Sequence, residues 1–263
     1  MDHTYWQRQE PTKPLFPDIE WSKPEQRSQR GRLGIIGGNK LGFAGIAESY
    51  SVALHAGAGE VRALLPDALK KSIPTSMTDV IFAPSTTIGS LSREGIADLI
   101  ALGNYSDGIL LAGDCGRNSE TAITYEDFLR EWEGQVTITR DAFDLIKHSA
   151  DVLVNRPQTT LVISFAQLQK LFQALYYPKI LTFSMQLMQF VEAMHKFTIT
   201  YPVMIAVLHK DTMVIAHGGQ VVTMPWDSPM RIWRGETAAQ IATYIMWTPS
   251  KPLAAAVTSI AFS

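Results

Sequence analysis

The stretch RLGIIGGNKLGFAGIAESYSVALHAGAGEVRALLP, residues 32–66, decides the fold class. It begins with a short apolar run that glycines stop, which predicts a strand followed by a glycine loop. Ile46, Tyr50, Ala53 and Leu54 then recur at helical spacing, and the glycines of HAGAG close that helix before EVRALLP, a second strand. The stretch therefore predicts a β-loop-α-β unit.

The same alternation of strand and helix patterns continues along the chain. Apolar runs that predict strands are TDVIFAP (78–84), DGILLAG (107–113), TTLVISF (159–165) and PVMIAVL (202–208), and helical patterns lie between them. TMVIAHGGQVVTMP, residues 212–225, predicts a hairpin around its two glycines. Such alternation predicts an α/β fold with a mostly parallel central sheet and helices on both faces.

The N-terminal segment differs from the rest of the chain. Residues 1–30 are polar and rich in proline, which lacks a backbone donor and restricts the residue before it. We expect these residues to form an arm outside the sheet, and residues 31–263 to form a single domain. The arm lacks the apolar core of a secretory signal.

Composition excludes several classes of protein. Of the 263 residues, 46% are hydrophobic and 18% are charged, which predicts a folded globular chain. The net charge of −2 provides no basic field for nucleic acid or anionic lipid. No apolar run is long enough to span a membrane. A single cysteine, Cys115, excludes an intrachain disulfide and favours a reducing compartment, so we predict a cytoplasmic protein.

Two glycine-rich stretches follow predicted strands. In GGNKLGFAG the candidate ligand-binding residues are Gly37, Gly38, Asn39 and Gly45; the alternative is a tight turn without a ligand. In LLAGDCGRNSET the candidates are Gly113, Asp114 and Gly116, and the alternative is a plain loop. Ligands of open parallel sheets bind beyond the carboxyl ends of strands, which favours both stretches as sites. We therefore expect Gly37, Gly38 and Asn39 to lie at the carboxyl end of a central strand and to face a cleft.

Two single residues are further candidates. Asp141, at the end of a predicted strand, is either a ligand contact or the cap of the next helix, and capping is the favoured single role. Lys210 lies between two strands and either reaches a nucleotide or is an exposed hairpin cation. Cys115 has no histidine near it in sequence, which favours a buried apolar role over a nucleophile. The histidines have no metal-ligand spacing, so no protein metal ligand is assigned.

Taken in order, these stretches resemble the ADP- or ATP-dependent NAD(P)H-hydrate dehydratases of the ribokinase-like superfamily. The most specific match is the glycine loop, the helix and the Gly-Ala-Gly turn of residues 32–66. ILLAGDCGRNSET resembles the family's second glycine loop, TRDAFDL its Asp-Ala-Asp-Ala-Leu stretch, and HKDTMVIAHGGQVV its Lys-Gly hairpin. The resemblance spans about residues 30–255 and implies a ribokinase-like three-layer α/β/α sandwich.

The departures from the family pattern fall where the family does its chemistry. ISFAQLQKL replaces a Pro-His-Pro-Gly-Glu stretch, and neither a histidine nor an acid stands in residues 164–167. The family's Gly-Thr-Gly-Asp turn coincides with Trp233, Arg234, Gly235 and Glu236. The resemblance implies that Glu236 takes the place of the catalytic aspartate, with its carboxylate one methylene farther out, and that Arg234 and Gly235 contact phosphate. The alternative for RGETAAQIA is an ordinary helix start with an acid in its first turn.

The resemblance implies a nucleotide-dependent dehydration of hydrated NAD(P)H, weakened by these changes. Its partners would be ADP or ATP, Mg²⁺ carried with the nucleotide, a nicotinamide dinucleotide derivative and further copies of the chain in a homo-oligomer. Two alternatives remain open: a diverged non-catalytic nucleotide-binding or assembly protein, and a small-molecule kinase of the same superfamily. Fold alone does not decide among them.

Overall fold

The helices and strands of the chain alternate as its sequence predicts, in a computed structural model that describes residues 4–261. The strands are β1 (Trp6–Arg8), β2 (Arg32–Gly37), β3 (Glu60–Pro66), β4 (Val80–Ala83), β5 (Gly108–Gly113), β6 (Val136–Thr139), β7 (Thr159–Ser164), β8 (Met204–His209), β9 (Thr212–His217) and β10 (Gln220–Pro225). The helices are α1 (Pro17–Trp21), α2 (Ala44–Ala56), α3 (Ile96–Tyr105), α4 (Ser119–Glu131), α5 (Arg140–Ile146), α6 (Ala150–Asn155), α7 (Phe165–Ala174), α8 (Leu187–Thr200), α9 (Pro229–Arg234), α10 (Glu236–Trp247) and α11 (Pro252–Ala261).

All ten strands of the described residues belong to one sheet, in the order β1-β10-β9-β8-β7-β6-β5-β2-β3-β4. In this sheet order, neighbouring strands from β8 to β4 pair in parallel. β8 pairs antiparallel with β9, and β9 with β10. The hairpin predicted around HGGQ is confirmed, since Gly218 and Gly219 have φ of 56° and 79° in the turn between β9 and β10. The parallel strands place their carboxyl ends along one edge, called here the carboxyl edge.

Alternate residues of the central strands pack on opposite faces of the sheet. Ile36 and Leu111 belong to a core with α3 to α8, whereas Ile35 and Leu110 belong to a second core with α2, α10 and α11. All four side chains are fully buried. A strand with both faces covered must be apolar at every position, which explains the unbroken apolar runs in the sequence. The predicted three-layer α/β/α sandwich is confirmed.

The N-terminal arm contributes a strand, contrary to our expectation. β1 pairs in parallel with β10, with Trp6 opposite Val221, and Gln9 N donates to Thr223 O over 2.8 Å. The prolines lie outside the three paired residues, and β10 would otherwise be an edge strand with unpaired backbone groups. The prediction that the arm stays out of the sheet is therefore wrong, while the domain division at residues 30 and 31 stays a prediction.

Within residues 4–261, every helix is too short or too polar to cross a membrane.

Candidate functional site

The glycine loop after β2 packs directly on the loop after β5. Gly38 N donates to Gly113 O over 3.0 Å, and a Cβ on Gly37 would lie 2.4 Å from the same oxygen. Asn39 Nδ2 donates to Asp114 O over 2.5 Å. The predicted position at the carboxyl edge is confirmed. The prediction that the loop faces a cleft is wrong for Gly37 and Gly38, which are both buried. Gly37 lies against Gly113 O and Ile46, whereas Gly38 lies against Leu65, Leu69 and Phe43.

Asp114 stands at the centre of the loop after β5, with a left-handed φ of 55°. Its Oδ2 accepts the Gly45 amide, in the first turn of α2, over 2.6 Å. Its Oδ1 accepts Arg140 Nη2 over 2.6 Å. Gly116, in the same loop, has φ 72° and lies beside Asn39 and Ser90. The two predicted glycine stretches are thus joined through one carboxylate.

Asp141 supports the same loop from the first turn of α5. Its Oδ1 accepts the Asp114 amide over 2.7 Å, and its Oδ2 accepts the Cys115 amide over 3.0 Å. The N-cap of α5 is Thr139, and Asp141 does not cap that helix. The favoured capping role is therefore wrong: β5 and β6 are parallel neighbours, so the carboxylate after β6 lies beside the amides after β5.

Arg140 is a residue of this site that the sequence reasoning missed. Its φ is 55°, so two non-glycine residues in contact, Asp114 and Arg140, both have left-handed backbones, a strain that concentrates at functional sites. Gln167 Nε2 donates to Arg140 O over 2.8 Å, and Gln167 also forms a capping box with Ser164. The stretch in which the family has a histidine and an acid therefore holds Arg140 in place. The one sequence signal was a cation directly after a strand.

The turn between α9 and α10 meets these loops. Gly235, with φ 90°, ends α9 and precedes Glu236, the first residue of α10, so the predicted helix start is confirmed. A Cβ on Gly235 would lie 2.8 Å from Ser49 Oγ, 3.7 Å from Gly45 O and 3.8 Å from Arg140 Cδ. Glu236 Oε2 lies 3.4 Å from Arg231 Nε, and both side chains are about four-fifths buried (18% and 21% exposed).

Lys210 lies apart from the glycine loops, at a separate apolar cavity of about 390 Å³ beyond β7 and β8. Its φ is 57° in the turn after β8, and its Nζ donates to Met185 O over 3.4 Å. The cavity reaches α9 through Ile232 and the exposed Trp233, and Arg234, also exposed, is the next residue. Its other apolar walls include Ile163, Phe165, Phe183 and Leu208.

Cys115 is buried, which agrees with the apolar role that the sequence favours. Its side chain is fully buried, and burial raises the pKa of the thiol far above its ordinary value, with Asp141 adding to the rise. Its Sγ lies 3.1 Å from the Tyr125 hydroxyl. A thiol that stays protonated is no nucleophile at neutral pH.

The carboxylates of the site decide how a Mg²⁺ ion would fit. Among residues 4–261, no three His, Cys, Asp or Glu side chains are grouped as a metal site. Each carboxylate oxygen of Asp114 and Asp141 already accepts a hydrogen bond. Mg²⁺ that accompanies a nucleotide needs only one or two carboxylates beside phosphate oxygens and water. Glu236, which pairs with Arg231, fits that smaller role.

Comparison with known proteins agrees with the fold and with the resemblance. No family model matches the chain. It is 28% identical over 127 residues to the bifunctional NAD(P)H-hydrate repair enzyme of Methanothermobacter thermautotrophicus, which covers 47% of this chain and 24% of that protein. The chain thus spans about a quarter of the length of that curated relative.

Solved structures match over nearly the whole chain. A ribokinase-like superfamily protein from Enterococcus faecalis has a TM-score of 0.71 at 15% identity, covering 99% of this chain and 87% of that one. The ADP/ATP-dependent NAD(P)H-hydrate dehydratase of Bacillus subtilis, co-crystallised with ATP and Mg²⁺ and soaked with CoA, has a TM-score of 0.58 at 10% identity, covering 94% and 86%. The chain therefore has the ribokinase-like fold, and its resemblance to the NAD(P)H-hydrate dehydratases is confirmed.

Proposed function

We propose that the chain binds an adenine nucleotide at the carboxyl edge and acts as an ADP- or ATP-dependent NAD(P)H-hydrate dehydratase. The meeting of Gly45, Arg140 and Gly235 at that edge is the observation that carries the proposal. Gly235 precedes the N-terminus of a 12-residue helix, and the free amides and dipole of a helix N-terminus favour a phosphate group.

The apolar cavity beside α9 accommodates the base of the nucleotide. Its volume of about 390 Å³ and its aromatic walls, Phe165, Phe183 and Trp233, suit a flat ring. Lys210 lines the same cavity, and Arg234 follows Trp233 in the chain. Both cations would contact the phosphates, which extend from the cavity toward the first turn of α10.

Glu236 is the residue proposed to carry the chemistry. It accepts the proton of the ring hydroxyl of hydrated NAD(P)H while that oxygen bonds to the terminal phosphorus and the bond to the shortened nucleotide breaks. The carbon–oxygen bond of the phosphorylated ring then breaks, phosphate leaves, and loss of a ring proton re-forms the double bond. Glu236 would also contact a Mg²⁺ ion bound with the nucleotide. That ion would neutralise part of the phosphate charge.

A non-catalytic nucleotide-binding or assembly protein is the second candidate, and one contact favours it. Glu236 is paired with Arg231, so a substrate would have to displace that guanidinium to engage the carboxylate. Trp233 adds an exposed aromatic side chain where the resemblance implies a glycine. A small-molecule kinase that uses Glu236 as base would have the same site.

One further property belongs to the proposal. We propose a cytoplasmic location, since Cys115 is a free thiol. Assembly into a homo-oligomer stays a prediction.

The test is to incubate the full chain with hydrated NADH, Mg²⁺ and either ADP or ATP, and to follow the absorbance of restored NADH. Reactions without nucleotide, and with Glu236→Gln, are the controls. Restoration that needs both the nucleotide and Glu236 supports the dehydratase. Nucleotide binding by calorimetry without restoration supports the non-catalytic candidate. If neither ADP nor ATP binds, the proposed function is wrong.

A further inference from the structure

The Arg140 side chain passes between two helix N-termini at the carboxyl edge. Its Cδ lies 3.8 Å from the point where a Cβ on Gly235 would stand, beside the start of α10. Its Nη1 lies 1.5 Å from the corresponding point on Gly45, in the first turn of α2. Any side chain at residue 45 would displace the guanidinium. The partial positive charges of two helix ends and one full positive charge are therefore concentrated here.

A carboxylate of the protein already neutralises part of that positive charge. Asp114 accepts both the Gly45 amide and Arg140 Nη2 over 2.6 Å, and the two side chains are 17% and 22% exposed. A carboxylate that accepts a helix amide and a guanidinium together makes the contacts that a phosphate oxygen makes at such a place. Asp114 therefore acts as an internal anion.

The same place holds a buried hydroxyl without a hydrogen-bond partner. Ser49 Oγ lies 2.8 Å from the Cβ position of Gly235, its side chain is fully buried, and it has no partner within residues 4–261. Buried hydroxyls are normally hydrogen-bonded, so Ser49 marks a place beside Gly235 where a further acceptor would satisfy a polar group.

The geometry points to Arg140 as an anion-binding residue that takes a phosphate group of the ligand, with Asp114 as the internal anion that competes for it. This inference rests on the proposed function for the position of the cleft. It adds a residue to which neither the sequence nor the resemblance gave a role.

The experiment measures binding of inorganic phosphate and of ADP to the full chain by calorimetry and by thermal shift, with adenosine as the ligand without phosphate. Arg140→Met should weaken phosphate and ADP binding at least about tenfold, because a charge-assisted hydrogen bond is lost, and should leave adenosine binding unchanged. Asp114→Asn should tighten phosphate binding, because the competing charge is removed. The matched control pair is Arg62 and Asp79, 2.8 Å apart and half-buried; Arg62→Met and Asp79→Asn should change neither affinity.

The opposite changes in phosphate affinity expected for Arg140→Met and Asp114→Asn distinguish this inference from a purely structural ion pair. A structural pair predicts that both substitutions lower the melting temperature and that neither changes phosphate affinity, which would overturn the inference. If Arg140→Met does not fold, the Asp114→Asn variant decides by itself. ADP binding and turnover that are equal in wild type and Arg140→Met would refute the role of Arg140 while leaving the proposed function intact. Phosphate binding that follows these expectations without any turnover would leave Arg140 as an anion-binding residue and refute the dehydratase.

Discussion

Asp141→Ala should destabilise the protein by about 3 kcal/mol. The carboxylate accepts two loop amides, from Asp114 over 2.7 Å and from Cys115 over 3.0 Å, and Cys115 is fully buried. A hydrogen bond to a charged group contributes roughly 1.5 kcal/mol or more, so two lost bonds give about 3 kcal/mol. At about 2–4 °C per kcal/mol for a chain of this size, the melting temperature should fall by about 6–12 °C.

The assay is urea unfolding followed by circular dichroism, together with calorimetric melting. Asp141→Asn keeps one acceptor oxygen, so it should lower the free energy of unfolding by about half as much as Asp141→Ala. Asp151 is the matched control, since it also stands in the first turn of a helix, α6, but is exposed. Asp151→Ala removes a helix-dipole contribution of about 0.5 kcal/mol. A loss for Asp141→Ala as small as that of Asp151→Ala would refute the view that this carboxylate supports the loop after β5.

Three further outcomes are expected. Glu236→Gln should abolish NADH restoration while leaving nucleotide affinity near that of wild type, and Glu236→Asp should retain turnover. If Glu236→Gln instead binds the nucleotide more tightly than wild type, the protein is a nucleotide binder without catalysis. Gly45→Ala should abolish the rise in melting temperature that we expect phosphate to cause, because the new Cβ would lie 1.5 Å from Arg140 Nη1. A phosphate-induced rise equal to that of wild type would contradict this. Burial lowers the pKa of His209 below its ordinary 6.5, so the unfolded chain binds the extra proton and stability should fall as pH falls through about 6.5. His209→Phe should reduce that slope in urea unfolding at several pH values, and an unaltered slope would show that this histidine does not cause it.

The sequence predicted the fold because its strong signals are local. Residues 32–66 carry the strand, glycine and helix periods of one β-α-β unit, and the parallel pairing of β2 with β3 follows from that unit. The meeting of the loops after β2, β5 and β6 could also be predicted, since parallel strands end at one edge. Pairing of the arm with β10 could not, because it depends on which distant strand has a free edge.

The role of Arg140 could not be predicted for a related reason. Its guanidinium lies over Gly45, and that placement depends on a missing side chain nearly a hundred residues earlier in the chain. Asp141 has the sequence features of a helix cap, yet its partners belong to the loop after a neighbouring strand. Local spacing indicates which residue types follow each strand. It does not indicate which of them will contact each other across the edge.

The departures at the turn before α10 depend on each other. A glutamate at residue 236 carries its carboxylate one methylene farther from the helix than an aspartate does, and there it lies 3.4 Å from Arg231 Nε. A shorter side chain at the same position would keep its carboxylate nearer the first amides of α10 and away from that guanidinium. The length of the glutamate side chain and its ion pair with Arg231 are therefore linked. For the chain to be a catalyst, a bound substrate must compete successfully with Arg231 for Glu236.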